Sequence, residues 1–370
     1  MGMEFSRRNL LRAGAAMGAA AALEKPTEAA AAFLGLTSEV DAERKNRMRF
    51  ERNWNAMPAT EREQLIDAEV KRAQDFIRGP EGRRILESGT DDELFKLINA
   101  MPPLLRAHVK GTKYDVSTSE WPSVSHSYAL RSAAPVTKSI NSGPVTIGAT
   151  EKGNGAYLNA RNYLTDWHVV EASPEYRPYF PDATTYENLK KLSEQHALDV
   201  VHIEMPYNNQ KVNEMSKPVD LLLNNNEVHG EIVAAAGLDA DATAAADGTK
   251  LYPSIAVRVT PHLAKFLGKY ARYKDRDVRF AENSFIIIAP PGECVDRNDG
   301  GEWYRYIQGM SGCPVMKGGK MAGCMHRGGL LSYNGLSIDF GLFHGPDEIR
   351  QARRIGLKFG AVLDRNQKPF

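Results

Sequence analysis

Residues 308–315 read Gln308-Gly309-Met310-Ser311-Gly312-Cys313-Pro314-Val315. A serine hydroxyl is a poor nucleophile unless a base takes its proton and donors await the oxyanion. Small residues on both sides of Ser311 let the backbone turn tightly and aim amide N–H groups at one point. Gly309 and Ser311 are placed to supply two such groups. Gly-x-Ser-Gly also occurs by chance in loops, so its meaning depends on whether the chain offers a base and an acid elsewhere.

Two upstream stretches offer them. Tyr163-Leu164-Thr165-Asp166-Trp167-His168-Val169-Val170 carries a histidine at the end of a strand, from which a ring can project into a cleft. Taken alone, such a histidine reads more readily as a satisfied core residue. Ala197-Leu198-Asp199-Val200-Val201-His202-Ile203 has a carboxylate opening an otherwise apolar strand. A buried carboxylate asks for a cation or a strong donor, and an imidazole N–H meets that demand. The plainer alternative is an exposed aspartate in a turn.

Together the three stretches resemble the trypsin-like (chymotrypsin-fold) serine proteases, closest to the bacterial branch with HtrA-type and glutamyl endopeptidases. Leu164, Thr165, His168, Val169 and Val170 match that family's histidine motif. Asp199 matches its acid, and Gly309, Ser311, Gly312 and Pro314 match its nucleophile motif. The chain order His, Asp, Ser is also the family's, and it differs from that of α/β-hydrolases. The resemblance runs from about Gly143 to Gly329 and implies a mainly β fold. Two six-stranded β-barrels would hold the site between them, preceded by a helical N-terminal segment. It implies a serine endopeptidase acting on a polypeptide substrate through an acyl-enzyme, with His168 as base, Asp199 orienting it and Gly309 and Ser311 forming the oxyanion hole. No cofactor or metal is implied. Two departures stand out. Cys313 occupies the place of a second glycine, and the stretch from Asp199 to Ser311 is longer than in compact members. The alternatives are a protease-fold binding protein without turnover, or an esterase or transacylase on the same triad.

The family likeness also puts the substrate pocket just before the nucleophile and along Gly323–Gly329. There Arg305 and His326 would act as cationic donors to an acidic side chain through charge-assisted hydrogen bonds. The competing reading has Arg305 in solvent and His326 capping a strand.

The chain has 370 residues, a net charge of +1 and 42% hydrophobic residues. This is enough for a sizeable core, and the charge balance gives no reason to expect nucleic acid or an acidic membrane as partner. Ser6-Arg7-Arg8-Asn9-Leu10-Leu11-Arg12, the weakly apolar run Ala13–Leu23 and the small residues Ala29-Ala30-Ala31 follow the order of a secretory signal. Arg7-Arg8 resembles a twin-arginine signal, so residues 1–32 are read as an export peptide with a periplasmic or secreted product. That apolar run is too short for a stable membrane anchor.

Residues 38–115 read as helical and residues 140–370 as the protease domain. Thr60 with Glu63, and Thr90 with Glu93, are capping boxes, and Gly79-Pro80 stops the first helix. The helical segment could be an inhibitory propeptide, a partner-binding module or a permanent brace. Thr260-Pro261 opens another helix, carrying Leu263, Phe266, Leu267 and Tyr270. Short β-branched or aromatic runs, such as Val145–Ile147, Val200–Ile203 and Phe285–Ile288, read as strands. Asp296-Arg297-Asn298-Asp299-Gly300 lacks the ligand order of a calcium loop and reads as a turn. Of the three cysteines, Cys294, Cys313 and Cys324, the last two flank a hairpin turned at Gly318-Gly319. In an unbroken ladder they face each other and could form a disulfide.

Overall fold

The structure, a computed structural model, describes residues 53–101 (all but 55 and 100) and 123–360 with breaks. The longer breaks are 125–137, 173–182, 205–218, 239–248, 289–294, 297–301 and 304–310. The export signal at 1–32, Cys294, Arg305 and Gly309 therefore lie outside the described residues, as does most of the turn at 296–300.

Three helices come first: α1 (Ala59–Arg78), α2 (Pro80–Ser88) and α3 (Asp91–Asn99). The Thr60–Glu63 box is not used. Helix α1 already starts at Ala59 behind Pro58, so both residues lie inside it. The second box forms: the Thr90 N–H donates to Glu93 Oε2 at 2.7 Å, and the Glu93 N–H donates to Thr90 Oγ1 at 3.3 Å. Gly79 ends α1 in extended backbone, and Pro80 opens α2 at its first helical position, where a missing N–H costs nothing.

The strands β1 (Ser123–Val124), β2 (Lys138–Ser142), β3 (Val145–Ala149), β4 (Asn154–Asn159) and β5 (Asn162–Thr165) form an antiparallel meander. A short helix α4 (Trp167–Ala172) and then α5 (Ala183–His196) lead to β6 (Val201–Glu204). The next strands are β7 (Ile232–Leu238), β8 (Thr249–Ile255) and β9 (Val257–Arg258), followed by helices α6 (Pro261–Tyr270) and α7 (Asp275–Glu282). Then come β10 (Phe285–Ile288), the small hairpin β11 (Val295–Asp296) with β12 (Glu302–Trp303), β13 (Pro314–Lys317), β14 (Lys320–Tyr333) and β15 (Leu336–His344). Helix α8 (Pro346–Arg354) returns the chain to β16 (Lys358–Gly360).

Two six-stranded barrels are not what these strands build. Among the described residues the fold is mixed α/β, with eight helices, one nearly closed barrel and one open mixed sheet. The near-barrel has the order β8-β7-β13-β14-β15-β10-β9. It almost closes because β8 continues through Ala256 into β9, so that one bent stretch edges both sides. The other sheet has the order β1-β2-β3-β4-β5-β6-β16, and β16 runs parallel to β6. Its part around the site is the four strands β4, β5, β6 and β16. A parallel pair needs a long crossover, here the whole run from β6 through the near-barrel to α8.

Short β-branched runs look alike in a barrel and in a helix-covered sheet, which is why the sequence pattern did not separate the two. Strand β10 shows the difference. Phe285 and Ile287 point into the barrel with Val233, Val315, Met325 and Phe343. Ile286 and Ile288 point outward into a second cluster with α1, α2, α3 and α6. Both faces are dry, so the run is apolar throughout instead of alternating.

That outer cluster settles how the N-terminal helices sit. Ile77, Leu86, Leu94, Phe95, Leu97 and Ile98 are buried against Leu263, Phe266, Leu267, Leu331 and Phe340. Polar ties surround them: the Tyr270 hydroxyl donates to Asp91 Oδ2 at 2.6 Å, Lys269 pairs with Asp91 at 2.8 Å, and the His262 ring meets the Gly89 carbonyl at 2.6 Å. Arg78 reaches the His229 carbonyl at 3.0 Å and pairs with Glu231. Helices α1–α3 cover the barrel's outer face, with no described contact to Ser311 or His168.

Candidate active site

Strand β5 ends at Thr165, and α4 begins two residues later, so His168 lies in the first turn of a short helix instead of at a strand's end. Asp199 precedes β6. The chain leaves α5 through Ala197, whose φ of 50° is left-handed and swings it into the strand. Ser311 stands just before β13. The hydrogen-bond path is continuous. The His168 Nδ1–H donates to Asp199 Oδ2 at 2.6 Å, and the Ser311 hydroxyl faces His168 Nε2 at 2.8 Å. Asp199 Oδ1 also accepts the His168 backbone N–H at 2.9 Å, so one carboxylate fixes both the ring and its backbone.

The tautomer follows from these partners: a proton on Nδ1 leaves the Nε2 lone pair for the serine. Asp199 is 5% exposed whereas the His168 side chain is 36% exposed. The acid is thus dry and the base reachable. Burial favours the protonated form of Asp199, but the charge and hydrogen bonds of His168 outweigh it and hold the carboxyl below its ordinary range. For His168, burial pulls the pKa down, and the charge and hydrogen bond of Asp199 overcome this to set it at about 9.

Several residues that the sequence did not flag complete the site. The Asp199 backbone N–H donates to His344 Nε2 at 2.8 Å, and the His344 Nδ1–H donates to the Asn283 carbonyl at 2.7 Å. The ring of His326 stacks on that of His344, with centroids 4.1 Å apart. The turn after the nucleophile is gripped from β4 and β5. The Asn154 N–H donates to the Ser311 carbonyl at 2.6 Å, and the Thr165 hydroxyl donates to the Asn154 carbonyl at 2.6 Å. Gly312 adopts φ +80°, and a Cβ there would lie 1.7 Å from the Asn154 oxygen, so only glycine fits. Asp166, wholly buried, accepts the Gly312 N–H on Oδ2 at 2.6 Å, a donor shared with the Met325 carbonyl at 2.6 Å. Asp166 stood in plain view beside His168, but its type and spacing carry no sign of a partner near residue 312. His344 and Asn154 gave no local signal at all.

The structure brings His168, Asp199 and Ser311 together. Gly309, the other expected oxyanion donor, and Arg305 are outside the described residues. His326 is 1% exposed, and its Nε2 meets the Ser284 hydroxyl at 2.7 Å. Burial, joined by the charges of His344 and Arg327, pushes it well below the ordinary histidine range, so the ring is neutral. It brings no charge to a substrate, and its Nε2 is already engaged with Ser284.

The cysteine pair departs from the unbroken ladder. A bulge between Val315 and Met316 shifts the register by one, so Cys324 pairs with Pro314 and not with Cys313. Both thiols are buried, and no disulfide joins them. That of Cys324 lies 3.5 Å from Asp166 Oδ1. Among the described residues no cluster of histidine, cysteine or carboxylate groups is arranged to hold a metal ion. Compared with protein-family models and with curated proteins, the chain matches none.

Proposed function

We propose that this protein is a serine hydrolase that cleaves peptide bonds through Ser311, His168 and Asp199. The observation that carries the reading is the unbroken path from the Ser311 hydroxyl through the His168 ring to the buried Asp199 carboxylate. His168 Nε2 takes the Ser311 proton as Oγ attacks the substrate carbonyl, and Asp199 stabilises the imidazolium that forms. The Ser311 N–H, on a turn pinned by Asn154 and Asp166, serves as one oxyanion donor. Collapse of the tetrahedral intermediate passes the proton from His168 to the leaving amine, and water then frees the acyl group by the same route. A peptide rather than an ester as substrate rests on the sequence resemblance alone.

The test is labelling by a fluorophosphonate probe. Wild-type protein should label at one site, and Ser311→Ala and His168→Ala should not label. Equal labelling of the wild type and Ser311→Ala would refute the assignment. Parallel panels of peptide and ester substrates then separate a peptidase from an esterase or transacylase.

A further inference from the structure

We infer that Asp166 is a positioning residue that couples the base to the nucleophile, its Oδ2 holding the Gly312 N–H so that the Ser311 turn is registered against the His168 loop. The inference rests on the hydrolase reading above. It begins with a placement: Asp166 lies two residues before the base in the chain, and its side chain ends on the residue after the nucleophile. One side chain thereby spans from the first-sheet segment that carries His168 to the near-barrel segment that carries Ser311. The Gly312 N–H contact, at 2.6 Å, is wholly buried on the carboxyl side. Apart from the Ser311 hydroxyl facing His168 Nε2, the other ties on this turn described above are backbone groups: the Asn154 N–H to the Ser311 carbonyl and the Met325 carbonyl to the Gly312 N–H. Asp166 is the side-chain tie outside the reacting pair, and so one that substitution can remove while nucleophile and base stay in place.

The charge state of Asp166 shapes the test. Burial and the neighbouring Asp199 charge drive its carboxyl well above the usual carboxylate range, against the pull of His168 and of the hydrogen bonds from Gly312 and Cys324. A neutral carboxyl keeps a carbonyl-type oxygen for the Gly312 N–H. Its other oxygen faces the Cys324 thiol. An asparagine keeps an oxygen toward Gly312 and sets its NH2 toward the sulfur, which then accepts where it had donated. A leucine keeps the volume and removes the acceptor. Among the described residues, the charged and titratable groups near His168 are Asp199 before β6, Asp166 before α4, and Arg327 and His326 on β14. Asp166→Asn removes one of these titratable groups and keeps the acceptor, so the rate at the top of each pH profile, and not the midpoint, reads the acceptor.

The experiment compares fluorophosphonate labelling rates of wild type, Asp166→Asn and Asp166→Leu across pH, each normalised to folded protein and run well below its thermal midpoint. The expected result is that Asp166→Asn labels within threefold of wild type at the top of its pH profile, while Asp166→Leu labels more than about tenfold slower there, the scale of a small misplacement of reacting groups. A role confined to stability lowers the thermal midpoint of Asp166→Leu without slowing its labelling, and that result overturns the inference. So does an Asp166→Asn variant as slow as Asp166→Leu, since the acceptor atom is then not what matters. If Asp166→Leu does not fold, Asp166→Ala, which removes the acceptor and leaves only a cavity, is measured in its place against the same thresholds. A wild type that does not label overturns the hydrolase reading and this inference with it. A wild type that labels beside an equally fast Asp166→Leu overturns this inference alone.

Discussion

Leu94→Ala tests whether the N-terminal helices are a brace or a removable inhibitor. Leu94 is 0% exposed in the cluster that joins α3 to α6 and to the outer face of the near-barrel. Truncating such a leucine costs about 2–5 kcal/mol, from lost transfer energy and the cavity left behind. A loss in the middle of that range lowers the thermal midpoint by about 5 °C in a chain of this size. Differential scanning fluorimetry reads the midpoint, and fluorophosphonate labelling at 20 °C below it reads the site. A brace gives a clear fall in midpoint with labelling per folded molecule unchanged, because no described contact joins α1–α3 to Ser311 or His168. An inhibitory segment gives faster labelling as its docking weakens. Faster labelling, or a midpoint within about 2 °C of wild type, would refute the packing argument.

Gly312→Ala should strain the left-handed turn by about 1–2 kcal/mol and drive Asn154 off the Ser311 carbonyl. Labelling should fall about a hundredfold, and retention of the wild-type rate would show that the turn relaxes freely. Asp199→Asn should slow labelling about a thousandfold or more by losing both the imidazole tautomer and the imidazolium's counter-charge, as single-turnover kinetics would show. Since the free base is the active form and His168 titrates near about 9, labelling by wild type should rise from pH 6.5 toward pH 9; a profile flat above pH 6.5 would contradict the raised value. His202, 3% exposed between the Asn162 side chain and the Ile349 carbonyl, is held neutral by burial, with its pKa lowered to about 4. The unfolded chain therefore binds the extra proton between about pH 6.5 and 4. Its contribution to stability is complete above pH 6.5 and is lost as the pH falls, with His229, His326 and His344 acting in the same direction. Urea midpoints equal at pH 7.5 and pH 5 would count against this.

Local chemistry was legible in the sequence wherever neighbouring residues decide the outcome. Thr260 caps α6 by accepting the Leu263 N–H at 3.1 Å, and Pro261 starts it, as their types require. Thr90 and Glu93 close their box, Gly79-Pro80 separates two helices, and Phe285–Ile288 is a strand. What nominated His168, Asp199 and Ser311 as one site was the resemblance of their motifs, in that order, to a protease family; taken alone, each had a plainer reading. What the motifs do not encode is which strand pairs with which. The closure of the near-barrel through Ala256, the parallel seat of β16 beside β6 and the dry outer face under α1–α3 depend on contacts between residues far apart in the chain. A one-residue bulge at Val315 was enough to separate Cys313 from Cys324. Asp166 and His344 belong to the site for the same reason: their partners, the Gly312 N–H and the Asp199 N–H, are supplied by other elements. A polar residue's role is written only when folding chooses what it faces. Sequence thus determined which groups could perform the chemistry, while tertiary structure decided what holds them, because hydrogen-bond partners across sheets are fixed by packing and not by chain proximity.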